Sequence, residues 1–174
     1  MSHTIDEILD AVLEKEGWPA YTEHPHDRGG PTKGGVTLRS LESFRGKRCT
    51  RRELKYLKRE EAVALLERRY INQNGIHRLA KTTIGAQLVD NAILSGPSLA
   101  VKDLQRALES DLVVDGIIGT RTVAAYESRD ADCVGQRLSV MRALRLCRHV
   151  QKNPDQLVFL SGWIKRCLSF IKED

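Results

Sequence analysis

The sequence predicts an all-α, mainly helical fold of about seven to nine helices, forming a single compact domain with two lobes. Apolar residues recur at helical spacing through most of the chain, and helix-capping or helix-breaking residues stand between these segments. With 174 residues, the chain can form one substantial core but is too short for two independent domains of ordinary size. The one β-like passage, Asp111 to Gly119, has arms too short for an independent sheet and is interpreted as a structured turn.

The first half of the chain carries four predicted helical segments with recognisable starts or ends. Glycine readily adopts the left-handed conformation that closes a helix, and a threonine hydroxyl can accept hydrogen bonds from the first free amides. Thr50 and Glu53 have the spacing of a capping box. The predicted segments run from Ile5 to a stop near Gly17, from a Thr37 cap through Phe44 to Gly46, from Thr50 through Leu57, and from Glu60 to Ile71.

The second half is predicted to be helical apart from the structured turn. Proline cannot continue a helix, so Gly96-Pro97 and Asn153-Pro154 mark boundaries. Trp163 in the last segment is more readily explained as a core residue than as a sugar platform. The predicted segments are Ile84 to Leu94, Leu99 to Leu108 after a Ser98 cap, Arg121 to Tyr126 after a Thr120 cap, Asp130 or Asp132 to about Val150, and Gln156 to about Ile171.

The composition is that of a folded protein, and it disfavours membranes and nucleic acids as partners. Hydrophobic residues make up 41% and charged residues 29% of the chain. No apolar run approaches the roughly 20 residues that cross a bilayer, so stable membrane insertion is not expected. The formal net charge is +5, but the basic residues are spread along the chain, which favours solvated helix faces over a nucleic-acid patch.

Cysteine usage and the amino terminus bear on cofactors and location. The four cysteines form no CxxC pair and do not cluster with the five histidines, so we expect free thiols, no metal and no cofactor. The first residues include acids where a signal peptide would carry lysines and then an apolar block. The expectation is cytoplasmic synthesis without a signal peptide.

The stretch from Glu16 to Thr37 concentrates carboxylates, hydroxyls, aromatics and glycines more densely than any other. Glu16 falls in the last turn of the first predicted helix. There the negative end of the helix dipole disfavours an ionised carboxyl group, as would the apolar surface of Trp18 or Tyr21. A carboxyl group that keeps its proton near neutral pH is what a general acid requires. The alternative is a solvated charge at a helix end, as expected for Glu14.

A second carboxyl group follows in a glycine-rich passage. The segments 27–32 and 35–37 can bring backbone and short hydroxyl groups close to a ligand. Two carboxyl groups that flank a cleft suit cleavage of a glycosidic bond. Asp27 could equally be a turn residue that bonds its own backbone, so both interpretations stay open.

Two polar residues interrupt a predicted apolar helix in the second half. Asp90 and Asn91 stand among Leu88, Ile93 and Leu94. Asn91 could hold an acetamido group of a sugar, or the pair could tie the helix to a neighbouring segment by hydrogen bonds. The structural interpretation is slightly favoured, and Asn91 is kept as a candidate substrate-binding residue.

These motifs resemble those of glycoside hydrolase family 108, the bacteriophage-type N-acetylmuramidases, over nearly the whole chain. The order of three separated motifs carries the resemblance. The residues similar to the family pattern are Glu16-Gly17, Tyr21, Asp27, Gly29 to Thr32 and Gly35 to Thr37 in the signature, Leu104-Gln105, Val114 to Gly119 and Thr122 in its predicted peptidoglycan-binding region, and Phe159 to Arg166 in its closing helix.

The resemblance implies a lysozyme-like fold, with a muramidase region at 1–80 and a peptidoglycan-binding-like region at 81–174 packed as one unit. It implies a peptidoglycan hydrolase that cleaves the β-1,4 bond between N-acetylmuramic acid and N-acetylglucosamine without a cofactor. Glu16 would be the general acid and Asp27 the second carboxylate. Thr32 or Thr37 would orient water, so Thr37 joins the catalytic candidates and Thr32 the substrate-binding ones.

The sequence also departs from the family pattern in the signature. The family's Glu-Gly-Gly-Tyr becomes Glu16-Gly17-Trp18-Pro19-Ala20-Tyr21, with two extra residues before the tyrosine. Gly34 stands where an aromatic residue is usual. A sugar-stacking face would then be missing or supplied by Trp18, so Trp18 and Tyr21 are predicted substrate-binding residues.

Rival functions predict different products and partners. A silent wall-binding protein would bind peptidoglycan without cutting it, a lytic transglycosylase would leave anhydro ends, and a nucleic-acid binder would show salt-sensitive DNA binding. The favoured expectation is a monomer that acts on glycan strands in the periplasm or cell wall. A phage holin or a bacterial secretion system would release it there.

Overall fold

The structure, a computed structural model, describes residues 4–23 and 30–171. Helices dominate this part of the chain, which confirms the predicted mainly helical class. None of these helices is both long and apolar enough to span a membrane. The α-helices in the described residues are α1 (Ile5–Lys15), α2 (Leu38–Arg45), α3 (Arg51–Lys55), α4 (Arg59–Tyr70), α5 (Gly85–Ser95), α6 (Pro97–Ala107), α7 (Thr120–Glu127), α8 (Ala131–Lys152) and α9 (Leu157–Leu168).

A small antiparallel sheet lies between α1 and α2 in the sequence. Its strands are β1 (Tyr21–Thr22), β2 (Thr32–Lys33) and β3 (Val36–Thr37), in the order β1-β2-β3. Gly34 and Gly35 join β2 to β3 with φ of 50° and 76°, as a two-residue hairpin turn with two left-handed positions requires. This sheet was not predicted from the sequence, and residues 111–119, the one β-like passage, contain no strand.

Several helix ends agree with the predicted caps. The Thr37 side chain accepts a hydrogen bond from Ser40 N at the start of α2, and Thr50 with Glu53 forms the complete capping box of α3. The Asp130 side chain caps α8 by accepting from Cys133 N at 2.8 Å.

Two predicted caps are wrong by one or two residues. Helix α6 begins at Pro97 with Gly96 as its N-cap, and α7 begins at Thr120 with Gly119 as its N-cap. Proline at the first helical position already has the backbone angle of a helix and lacks one of the amides that would be without a partner there, so α6 begins before Ser98.

The chain divides into two units. The hairpin unit comprises residues 6–69, and the helical unit comprises residues 70–174 with the first five residues. In the hairpin unit, apolar side chains from α1, β3, α2, α3 and α4 form one core, against which Trp18 and Tyr21 pack. The buried members of this core are Leu13, Val36, Leu41, Leu54, Leu57 and Ala62.

The helical unit packs α5 on α6, α6 on α8 and α8 on α9. Its interior contains apolar side chains such as Leu88, Leu104 and Leu138. It also contains charges: Arg142, only 1% exposed, donates to Asp90 Oδ2 at 2.7 Å. The predicted solvated face is therefore wrong for Arg142, because a buried carboxylate compensates its charge.

Candidate active site

Glu16 is positioned by the end of α1. Gly17 has φ of 78°, its amide donates to Glu14 O at 2.9 Å, and the Trp18 amide donates to Leu13 O at 2.9 Å. These two bonds form a Schellman motif, which closes the helix with a left-handed glycine. The predicted stop near Gly17 is confirmed, and it leaves the Glu16 side chain exposed at the helix end.

The hairpin turn between β2 and β3 lies against this carboxyl group. A Cβ atom added at Gly35 would lie 2.9 Å from both Cγ and Oε2 of Glu16, which is too close for real Cβ atoms. Only a glycine accommodates both this approach and the φ of 76°. The Gly35 backbone therefore forms one wall beside Glu16.

Trp18 covers the other glycine of the turn. A Cβ atom at Gly34 would lie 2.6 Å from Trp18 Cε3, so the indole occupies the space that a side chain at position 34 would take. Gly34 also donates its amide to Ala20 O at 3.2 Å. The Trp18 insertion and the glycine at position 34 are thus linked, because the indole at 18 requires a residue without a side chain at 34.

Lys33 supports this arrangement from within the hairpin unit. Its side chain is buried, and its Nζ donates to the carbonyl oxygens of Lys55 at 2.8 Å and Leu57 at 2.9 Å. The same ammonium group lies 4.9 Å from the centre of a Trp18 ring, within the range of a cation–π interaction. Lysines are rarely buried, and no local pattern in the sequence indicated this role.

Tyr21 is held by a charged pair at the protein surface. Its hydroxyl donates to Glu23 Oε2 at 2.8 Å, and Arg51 lies 2.9 Å from Glu23 Oε1. Partial burial, followed by the hydrogen bond and the negative charge of Glu23, raises the pKa of the Tyr21 phenol. Tyr21 therefore keeps its proton at neutral pH and remains a hydrogen-bond donor.

The two candidate threonines occupy strands of the sheet. Thr32 Oγ1 lies 2.7 Å from Thr22 Oγ1 across the β1–β2 pair. Thr37 Oγ1 lies 2.9 Å from Ser40 Oγ in addition to capping α2. Both hydroxyls thus have structural partners, and their proposed roles toward water and substrate stay predictions.

The remaining candidates lie elsewhere. Asp27 lies outside the described residues, so its role as second carboxylate stays a prediction. Asn91 belongs to the helical unit and is fully buried, where it donates to Asp103 Oδ2 at 3.0 Å and accepts from Ser95 and Arg145 at 3.1 Å. These contacts favour the structural interpretation of Asn91 over contact with an acetamido group.

The site therefore consists of one exposed carboxyl group at a helix end, a glycine turn against it and an indole beside that turn. An open glycine wall allows a polymer to approach the carboxyl group, and an aromatic face can stack on a sugar ring. In the described ranges, no three His, Cys, Asp or Glu side chains gather as a metal site would require. An exposed carboxyl group beside an open turn and an aromatic ring is compatible with general acid catalysis on a carbohydrate.

Two models of known protein families match this chain. The model of Glycosyl hydrolase 108 matches residues 9–96, about half of the chain, and the model of the Predicted Peptidoglycan domain matches residues 99–168. The chain therefore belongs to glycosyl hydrolase family 108. It is a glycosidase that acts on peptidoglycan, which confirms the predicted class of enzyme and the predicted polymer.

A solved structure supports the fold over the full length. The structure of Brucella abortus SagA is 29% identical to this chain, with a TM-score of 0.62, and the match covers 98% of this chain and 97% of that chain. No curated protein sequence matches the chain. The predicted lysozyme-like, mainly helical class is confirmed.

Proposed function

We propose that this glycosidase is an N-acetylmuramidase. It hydrolyses the β-1,4 bond between N-acetylmuramic acid and N-acetylglucosamine, with Glu16 as the general acid that protonates the leaving oxygen. The observation that carries the proposal is the position of Glu16. Its carboxyl group is exposed at the carboxyl end of α1 and lies against the glycine turn of the hairpin. Membership of family 108 supports the same chemistry and does not favour a silent wall-binding protein.

The second catalytic group is proposed to be Asp27. It would activate the attacking water or stabilise the positive charge that develops on the sugar ring. A carboxyl separation of about 6.5–9.5 Å from Glu16 would favour inversion, and about 5–5.5 Å would favour retention. Thr37 is a proposed further catalytic residue that would help to orient the water.

Substrate binding is proposed to involve the indole and the strand hydroxyls. Trp18 is half-buried, and its indole would stack on a sugar ring. Lys33 beneath the indole holds it in place. The Tyr21 hydroxyl and Thr32 lie on the same small sheet and would contact the glycan through hydrogen bonds.

Access to the wall is part of the proposal. The enzyme would be made in the cytoplasm and act in the periplasm or cell wall as a monomer. A holin or a secretion system would carry out its release, and the test is whether cells producing the protein lyse only when such a system is produced with it.

The decisive experiment is mass spectrometry of the products released from purified sacculi. We expect muropeptides with N-acetylmuramic acid at the reducing end and one water added per cut. Anhydro ends would indicate a transglycosylase, reducing N-acetylglucosamine ends would indicate the other glycosidic bond, and sedimentation with sacculi without release would indicate binding alone. Each of these three results would contradict the proposal.

The role of Glu16 is tested by Glu16→Gln with Glu14→Gln as the matched control. Both glutamates are exposed, and they stand two residues apart at the end of the same helix. Loss of a general acid lowers rates by about 10²–10⁴-fold, so we expect Glu16→Gln to lose hydrolysis by that factor while Glu14→Gln remains active. Near-normal hydrolysis by Glu16→Gln would rule out its assignment as the acid.

A further inference from the structure

The helical unit contains a pocket that the proposed chemistry does not use. Its volume is about 310 Å³, and side chains from four helices line it. The walls combine cationic, aromatic and aliphatic groups, which is the composition of a ligand site more than of a packing defect. The lining includes Ser95 on α5, Leu99 on α6, Arg142, Arg145 and His149 on α8, and Trp163 on α9.

Arg142 is the unusual member of this lining. Its side chain is 1% exposed, and Nη1 donates to Asp90 Oδ2 at 2.7 Å. The other two nitrogens, Nε and Nη2, are buried without a hydrogen-bond partner. Unused donors on a buried charged group are costly, and native proteins rarely leave them without a reason. A ligand acceptor in the pocket is such a reason.

The local charge balance also favours an anion. Asp90 accepts from Arg142 and, at 2.8 Å, from Arg166 Nε, while Asp103 accepts from Arg145 Nε at 2.8 Å. Arg106 Nη1 also lies 3.8 Å from Asp103 Oδ1, so two buried carboxylates face four guanidinium groups. The network has at least one positive charge in excess, which an anionic group in the pocket would compensate.

The aromatic and aliphatic part of the pocket lining indicates that the anionic ligand also has an apolar part. The Trp163 ring lies 6.2 Å from the His149 ring and 5.9 Å from the Phe159 ring, measured between centroids. Leu99 and Leu94 add aliphatic surface. A small apolar body that carries a carboxylate fits these walls, whereas an inorganic anion would leave the apolar surface unused.

We propose that this pocket binds a carboxylate group of peptidoglycan through the free donors of Arg142. The proposal rests on peptidoglycan as the polymer that the enzyme recognises. Two sources present this chemistry: the end of a peptide stem, where a carboxylate adjoins an alanine methyl group, and the lactyl group of a peptide-free muramic acid. The pocket would hold the wall polymer by its acidic substituents, independently of the glycosidic bond at Glu16.

Binding is measured on the full chain with Trp18→Phe, which leaves Trp163 as the one remaining tryptophan of two. The probes are D-alanyl-D-alanine, its carboxamide, N-acetylmuramic acid and N-acetylglucosamine. We expect Trp163 fluorescence to report binding of at least one carboxylate probe, and at least about tenfold weaker binding of its neutral counterpart. Binding of the dipeptide would indicate that the carboxylate comes from the peptide stem, and binding of N-acetylmuramic acid would indicate that it comes from the lactyl group. Binding of neither, or equal binding of the neutral probes, would overturn the proposal.

Two variants locate the site, with a matched control. Arg142→Lys keeps a cation for Asp90 but removes the free Nε and Nη2 donors, so binding should weaken by about tenfold or more. Leu99→Glu adds a negative charge to the lining in the first turn of α6, where a glutamate suits the helix, and should weaken binding similarly. Leu144→Glu is the control, because Leu144 is 43% exposed against 42% for Leu99 and does not line the pocket.

The outcomes separate this proposal from the proposed catalysis. Unchanged binding in both Leu99→Glu and Arg142→Lys would overturn the pocket assignment even if sacculi are still cut. If Arg142→Lys does not fold, Leu99→Glu against Leu144→Glu decides alone. Glu16→Gln should bind the carboxylate probes as the unmodified chain does, so a failed muramidase assignment leaves the binding result readable.

Discussion

In the hairpin unit the carboxyl group of Glu16 lies exposed at a helix end, whereas in the helical unit the carboxylates of Asp90 and Asp103 are buried and bonded to arginines. The first group is accessible to a ligand. The carboxylates of Asp90 and Asp103 instead connect helices through ion pairs. The difference shows that burial and pairing, and not residue type, separate a candidate acid from a structural carboxylate.

The two units also differ in how they position side chains. In the hairpin unit, left-handed glycines at positions 17, 34 and 35 place Glu16 and Trp18 through backbone geometry. In the helical unit, hydrogen-bonded networks of side chains between helices position the buried polar groups. Removing a buried charge should therefore destabilise the helical unit most, and adding a methyl group at Gly34 or Gly35 should damage the site in the hairpin unit.

The largest expected effect comes from replacing the carboxyl group of Asp90 by an amide, and the same replacement at Glu16 in the other unit is the comparison. Asp90→Asn removes the charge that compensates Arg142 and Arg166, and should lower the free energy of unfolding by about 3–5 kcal/mol. Glu16→Gln alters an exposed group and should change it by less than about 0.5 kcal/mol. The measurement is urea denaturation in two backgrounds, since Trp18→Phe leaves a reporter in the helical unit and Trp163→Phe leaves one in the hairpin unit. Equal losses from the two substitutions would contradict the comparison.

Gly35→Ala should have the next largest effect, which we expect on hydrolytic activity. Its Cβ would meet Glu16 Cγ and Oε2 at 2.9 Å, so the carboxyl group must move. A displacement of about 1 Å in a catalytic group can cost about 10²-fold, and we expect a loss of that order in sacculus hydrolysis. Gly46→Ala is the control, because Gly46 also has a positive φ, 68°, but no heavy atom within 4 Å of the added Cβ. Comparable loss of activity in both would show that strain, not contact with Glu16, is responsible.

Lys33→Met tests whether the hairpin unit depends on one buried cation. The substitution leaves the carbonyl oxygens of Lys55 and Leu57 without their donor and should cost about 1–3 kcal/mol. The Trp18 indole also loses the cation beneath it, so activity should fall severalfold. The exposed Lys55→Met provides the control. Chemical denaturation followed by Trp18 fluorescence in the Trp163→Phe background reports the stability, and unchanged stability would show that Lys33 is not needed to hold the hairpin.

Thr37→Ala should have the smallest effect. It removes the side-chain cap of α2, which is typically worth about 1 kcal/mol of stability. Thr37→Ser keeps the hydroxyl and should restore both stability and activity. If the alanine variant loses hydrolysis by far more than its stability loss explains, while serine restores it, Thr37 acts on water as well as on the helix.

Local physics allowed the sequence alone to determine the helical class, most helix boundaries and the position of Glu16. Helical spacing, the left-handed glycine at 17 and the capping box of Thr50 with Glu53 depend on residues within a few positions of one another. The family motif added the chemistry. The Gly34-Gly35 pair between short strands was a signal for the missed hairpin, but strands of two residues have no alternation to detect.

Only the tertiary structure decided which charges are buried and what they contact. Arg142 and Asp90 are 52 positions apart, and Lys33 reaches carbonyl oxygens 22 and 24 positions away. Arg142 and Lys33 look like solvated charges in their local sequence, and the apolar neighbours of Asp90 indicate a hydrogen-bonded residue, but no periodic pattern identifies a distant partner. The approach of Gly35 to Glu16 is also a product of folding, since the hairpin must first bring the turn back to the end of α1.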